Sequence, residues 1–121
     1  MGSLTKIRAE VSTSQIPFLC LLTLRLLIEV NLLSKDYYVA GRLSLCATVI
    51  ADIFLDNTEL LLNLEILGKC NRDLHRYTEA IQCFKKQMFM SWIVKDMTSE
   101  LSAYDNLGLC HFYLNEPSKA Q

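Results

Sequence analysis

LEILGKCNRDLHRYTEAIQCF, residues 64–84, is the stretch from which the fold is read. Leu64, Leu67 and Gly68 follow helical spacing until Asn71, Arg72 and Asp73 break it. Tyr77, Ala80, Ile81, Phe84 and, just beyond, Met88 then resume at i, i+3, i+4, i+7 and onward, which is one face of a second helix. The short polar break makes the two a helical hairpin. Gly68 and Ala80 fall where its helices cross most closely, and small residues there let the backbones approach. Tyr77 and Phe84 fill the space beside them.

The same residues recur at a spacing of 40 in both directions. Leu24, Leu64 and Tyr104 superpose, as do Leu27, Leu67 and Leu107, Tyr37 and Tyr77, and Ala40, Ala80 and Ala120. Asp56 falls over Asp96, Gly68 over Gly108 and Cys70 over Cys110. A supersecondary unit repeated in this way buries its apolar face only against its neighbours. The expected organisation is a loose leader over 1–15 and units at about 16–55, 58–95 and 98–121, the last one incomplete.

Upstream, Pro17 opens the first helix, with Leu24, Leu27, Ile28 and Leu32 on one side until Ser34, Lys35 and Asp36. A second helix runs from about Tyr37 to Phe54. Asp56 followed by Glu59 has capping-box spacing for the next one. Downstream, Leu101, Tyr104, Leu107 and Gly108 begin a third unit that turns at Asn115 and Glu116. Pro117 then suits the first position of a further helix, where its missing N–H is harmless. At a period of 40 that helix needs about four more turns than the sequence supplies. The expectation is a fragment or truncated product of a longer repeat protein, with its C-terminal face uncapped and open to self-association.

Leu64-x-x-Leu67-Gly68 followed by Tyr77-x-x-Ala80-x-x-x-Phe84 resembles the tetratricopeptide repeat. Tyr104-x-x-Leu107-Gly108 with Pro117-x-x-Ala120 resembles its first half. The first unit departs from the pattern, with Ile28 at the glycine position and Ser44 at the large aromatic one. Such repeats are usually about 34 residues long. The longer spacing here is similar to that of polarity adaptors and axonemal tetratricopeptide proteins. The resemblance implies an all-α fold of antiparallel helical hairpins stacked as a right-handed solenoid. It also implies a scaffold that binds a partner peptide or helix on its concave face, with no chemistry of its own. The alternative is a structural segment of a larger cytoskeletal or ciliary assembly with no independent ligand.

Carried over position by position, the first helix of each hairpin lines that face and offers Arg25, Glu29, Glu65, Lys69, Arg72, Asp105, Asn106, Leu109 and Phe112. Asn106 matches an asparagine that polarity adaptors set against a peptide backbone, whereas Ile66, Lys69 and Leu109 do not match its companions. The Lys and Asn set that clamps a C-terminal carboxylate in chaperone cofactors is absent.

Composition agrees with a folded interaction module. Of 121 residues 51% are apolar and 21% charged, with a formal net charge of −1, which speaks against disorder and against nucleic acid as a partner. Five cysteines lie in apolar periodic segments without a C-x-x-C pair, as expected of reduced, buried thiols in the cytoplasm. Ile16 to Leu33 imitates a signal anchor, with Lys6 and Arg8 ahead of it. Arg25 and Glu29, four apart and able to pair, favour a buried helix over a membrane span. Lys6 also stands where a myristoylation signal requires Ser or Thr.

Four sharper readings yield to plainer ones. Cys70, Cys110, His75 and His111 lack the short local spacings of zinc ligands, so no metal is expected and the cysteines read as small buried hydrophobes. A Cys/His nucleophile would need an oxyanion site that no glycine-rich loop provides, so no enzyme and no cofactor are expected. Lys69, Arg72, His75, Arg76, Lys85 and Lys86, interrupted by Asp73 and Glu79, read as a solvated edge before an acidic-peptide site. Met88, Phe89, Met90 and Trp92 form an apolar run wider than one helical stripe, partly core and partly a contact surface.

Overall fold

Every helix after the first opens at the same kind of turn. In the computed structural model, which describes residues 2–115 and side chains from residue 15 onward, the chain forms α1 (Gly2–Leu33), α2 (Tyr37–Ile53), α3 (Asn57–Asp73), α4 (Tyr77–Val94) and α5 (Met97–Leu114). The turns fall 20 residues apart, at Lys35, Leu55, His75 and Lys95, each left-handed with φ of 56–62°. The next residue, Asp36, Asp56, Arg76 or Asp96, donates its N–H to the carbonyl five back, at Asn31, Ala51, Asn71 and Ser91 respectively, over 2.7–2.9 Å. This is the six-to-one bond of a Schellman closure. Glycine usually takes the left-handed position, and none does so here.

Asp36, Asp56 and Asp96 then act as N-caps, accepting from the N–H groups of Val39, Glu59 and Ser99 at 3.2, 3.2 and 3.0 Å. The capping box expected at Asp56 is half made, because the Asp56 N–H goes to Ala51 and the Glu59 carboxylate turns to Arg25. Arg76 has no side-chain capping bond. Its guanidinium lies 5.8 Å from the centre of the Tyr38 ring, which Arg42 also approaches at 5.8 Å.

Each helix packs on the next. Gly68 faces Phe84 while Asn71 approaches Cys83, so partner numbers fall as residue numbers rise and neighbours run antiparallel. Across alternate helices the numbers rise together, in Arg25 with Glu59, Glu65 with Ser102 and Arg72 with Asn106. Thus α1, α3 and α5 are parallel and directly bridged.

The 40-residue spacing recurs in burial. In α2 the buried residues are Ala40, Gly41, Ser44, Ala47, Thr48 and Ala51; in α4 Ala80, Ile81, Phe84, Gln87 and Ser91 are buried at the same offsets. The odd helices divide one pattern between them. The middle helix, α3, buries Leu60, Leu61, Asn63, Leu64, Gly68 and Cys70. Of the equivalents, α1 buries Leu21 and Ile28 but exposes Cys20, Thr23 and Val30, whereas α5 buries Ala103 and Cys110 but exposes Leu101, Tyr104 and Gly108. Each outer helix thus buries the half of the pattern that faces its single hairpin neighbour. One apolar cluster joins Leu21, Ile28, Ala47, Ala51, Leu60 and Leu64, and a second joins Ala80, Ile81, Phe84 and Cys110.

Three expectations need correction. The helix begins at Gly2 and continues through Pro17, so residues 2–15 are helical where a loose leader was expected. Leu4, Lys6, Ala9 and Glu10 are strong helix formers, and the helix carries through Pro17 although an internal proline removes one backbone bond and crowds the carbonyl four residues back. The apolar stretch of α1 is also not buried: Gln15–Leu33, with a mean hydropathy of 2.0, is 11% buried and long and apolar enough to cross a membrane. Finally, Cys20 and Cys46 are exposed, and only Cys70 and Cys110 are fully buried. The helix expected from Pro117, and Ala120 with it, lie outside the described residues.

Candidate functional site: the seam between α3 and α5

Charged and amide side chains on the odd helices are tied to one another. Arg25 pairs with Glu59 across the α1–α3 boundary and not with Glu29, which is exposed on the helix surface. An extended guanidinium reaches the neighbouring helix, and there the Glu59 carboxylate also lies 3.4 Å from Asn63 Nδ2. On the next boundary Glu65 accepts from the Ser102 hydroxyl and, at 3.4 Å, from Gln87 Nε2, with Lys69 Nζ at 3.9 Å. Arg72 donates from Nη1 to Asn106 Oδ1 at 2.8 Å, and its Nε lies 3.6 Å from Asp73.

Asn106 has both ends engaged. Its Oδ1 accepts from Arg72 and its Nδ2 donates to the Ser102 carbonyl at 2.9 Å, and the side chain is buried. An asparagine held this way is fixed in orientation by Arg72 and Ser102 and positions its neighbours.

Two clefts open along this seam. The first, about 340 Å³, is lined by Thr58, Leu61, Glu65, Asp96, Ser99 and Ser102. The second, about 510 Å³, lies at the other end and is lined by Arg72, Asp73, His75, Tyr77, Leu109 and Tyr113. Its wall is aromatic: Tyr77 and Tyr113 stack with centroids 5.7 Å apart, and His75 Nδ1 lies 2.9 Å from the Tyr77 hydroxyl. Phe112 meets Tyr113 edge to face. The cleft therefore combines a π surface, a guanidinium and a carboxylate, a set suited to a polypeptide with apolar and charged side chains.

Of the nine sequence candidates, Arg72 and Leu109 line the larger cleft, Glu65 lines the smaller one, and Asn106 lies beneath Arg72. Lys69, Asp105 and Phe112 are exposed on the same two helices, while Arg25 and Glu29 lie on α1, outside both clefts. Sequence reasoning assigned Tyr77 to packing alone and did not reach Tyr113. Its stacking partner stands 36 residues away, outside the 40-residue register that pointed to the other positions.

The thiols are poor ligands and nucleophiles. Burial, reinforced by Asp73, pushes Cys70 up to about 11. Burial also raises Cys83 and Cys110, against lowering contributions from the Asn71 hydrogen bond and Lys86 in the first case and Arg72 in the second. All three are neutral thiols near pH 7. Cys70 packs toward Gly41 of α2 and Cys110 toward α4, so the two repeat-related cysteines face different helices. Among the described residues no three His, Cys, Asp or Glu side chains are grouped to hold a metal.

No family model, curated protein or solved structure matches this chain.

Proposed function

We propose that the chain is a tetratricopeptide-like interaction scaffold, in which α1, α3 and α5 line the concave face of a right-handed solenoid and receive a partner's extended or helical segment. The pair of clefts on one seam carries this reading. Between and around them Glu65 is already held by Ser102, and Arg72 by Asn106, so binding would order few of the seam's own side chains. Leu109 and the Tyr77/Tyr113 stack supply apolar contact, and Lys69 and Asp105 supply exposed charge of both signs for register. The free cysteines fit a reducing cytoplasmic setting.

Selection of peptides from a displayed library on the whole chain tests this. Lys69→Glu or Leu109→Arg should weaken the selected binders at least about tenfold, and Lys85→Glu on the outer helix should not. Binders indifferent to both seam changes would reject the proposal. The exposed apolar side of α1, from Ile16 to Leu33, favours a second reading in which the segment is a structural link in a larger cytoskeletal or ciliary assembly. That reading predicts aggregation of the isolated chain and no selectable binder.

A further inference from the structure

Gln15–Leu33 of α1 is apolar nearly all round, yet the fold covers only one side of it. Lettered in heptads with Ile16 at a, its buried residues are Leu21 and Ile28, both at f, flanked by the half-buried b positions Pro17, Leu24 and Asn31. Every a, d, e and g position from 16 to 33 is exposed. The a positions hold Ile16, Thr23 and Val30 and the d positions Leu19, Leu26 and Leu33, at alternating spacings of three and four. The apolar members of this stripe range from 53% exposed at Leu19 to 85% at Leu33, on the side of α1 turned away from α2. A repeat every 3.5 residues is the spacing at which two helices keep one face together along a left-handed supercoil. Thr23 brings no unpaired donor to it, since its hydroxyl donates to the Leu19 carbonyl at 2.9 Å.

The packing of the repeat does not account for this stripe. α3, which lies between α2 and α4, has Asp56, Glu59, Asn63 and Asp73 at four of the six positions 40 residues on. A bilayer would account for the apolarity but not for the pattern, since lipid is indifferent to branching and to heptad position. It would also meet Glu29, exposed at g, and Arg25, which ties α1 to α3 through Glu59. A β-branched residue at every a and leucine at every d is the choice that favours two parallel strands. In register, such a pair sets each a against a′ and each d against d′, so the stripe is complementary to itself. Beside it Leu22 at g meets Leu27 at e′, and Glu29 at the next g meets Ser34, so no like charges oppose. We infer that two copies of this chain associate through α1 as a parallel two-stranded coiled coil over residues 16–33, with α2 to α5 of each copy on the outside. This surface is separate from the clefts between α3 and α5, so it stands or falls independently of them.

Sedimentation velocity on the whole chain should show a reversible monomer–dimer equilibrium. Leu26→Glu, at the central d position, should weaken dimerisation at least about tenfold, and Thr23→Ile should tighten it at least about threefold. Ile53→Glu, on an apolar residue similarly exposed on α2 but off the stripe, should leave it unchanged. Circular dichroism of each variant confirms that it folds, and the gain expected of Thr23→Ile tests the stripe without a loss of packing. For orientation, Leu33→Cys in a Cys20→Ser, Cys46→Ser background should cross-link two copies on oxidation. A monomer at all concentrations overturns the inference, as does a dimer indifferent to Leu26→Glu or a species larger than a dimer. Absence of the Leu33→Cys cross-link overturns the parallel arrangement. Flotation of a monomeric chain with phosphatidylcholine vesicles, lost in Leu26→Glu, overturns the inference in favour of a bilayer as the occupant.

Discussion

In the α3/α4 hairpin the close crossing is made by Gly68 on the first helix and Phe84 on the second, whereas the equivalent positions of α1/α2 hold Ile28 and Ser44. All four are buried. The bulky side chain has moved from the second helix to the first, and the small one has moved the other way. What the repeat preserves is therefore the volume shared at the crossing, not the identity of the residue on either side, as expected of an interior packed to crystal density. Ser44, which has no bulk to offer, turns its hydroxyl back to the Ala40 carbonyl at 2.7 Å and leaves the space to its neighbours.

The largest asymmetry should appear on truncation. Phe84→Ala removes the one aromatic ring at its crossing and is expected to cost about 3–5 kcal/mol in urea unfolding. Ser44→Ala should change stability by about 1 kcal/mol or less, since its only bond is to its own helix. Equal effects would mean that the two hairpins are not copies. Next in size is a change of sign. Gly68→Ala should destabilise by about 1–3 kcal/mol through contact with the Phe84 ring. Gly108→Ala should stabilise by about 0.5–1 kcal/mol, and thermal melts of the pair would show both.

A smaller effect distinguishes the third turn from the other three. Arg76→Asp should restore the cap that Asp36, Asp56 and Asp96 provide, worth about 1 kcal/mol, less the roughly 0.5–1 kcal/mol of the lost Tyr38 contact. The net change should be a gain of under about 1 kcal/mol, and a loss would show that Arg76 matters more as a ring partner than as a missing cap.

The smallest effect is in the thiols. Cys20 and Cys46 should react with a disulfide reagent in the folded protein, the half-buried Cys83 more slowly, and Cys70 and Cys110 only after unfolding. Because the fold keeps Cys70 neutral, the unfolded chain loses that proton first. The contribution of Cys70 to stability is intact below about pH 9 and falls as the pH rises from 9 towards about 11. A Cys70→Ala variant should show a shallower decline over that window.

The periodic parts of this structure were legible because period and burial have one cause. Gly68, Ala80 and Phe84 lie where spacing alone put them, and the Asp56 cap follows from its place before an apolar run. What escaped is what depends on neighbours in space. Arg25 has a local partner available in Glu29, and only the arrival of α3 explains why it takes Glu59. The turns carry no glycine signal, since Lys35, Leu55, His75 and Lys95 hold the left-handed position and the residue after each supplies the closing bond. Asn106 was legible as a polar residue on the right helix, but its engagement by Arg72 and Ser102 was not, and that engagement makes it a support of the seam. The exposure of α1 escaped for the same reason, because an apolar helix reads as buried until the number of its neighbours is known.

The shared-volume account of the two crossings is tested most directly by moving the bulk deliberately. Gly68→Ile and Phe84→Ser, made singly and together, form a double-mutant cycle that gives the second hairpin the arrangement of the first. Each single change should destabilise strongly, and the double variant should recover at least about 1 kcal/mol relative to the sum of the two. Strict additivity, with the double variant as unstable as that sum predicts, would contradict the account.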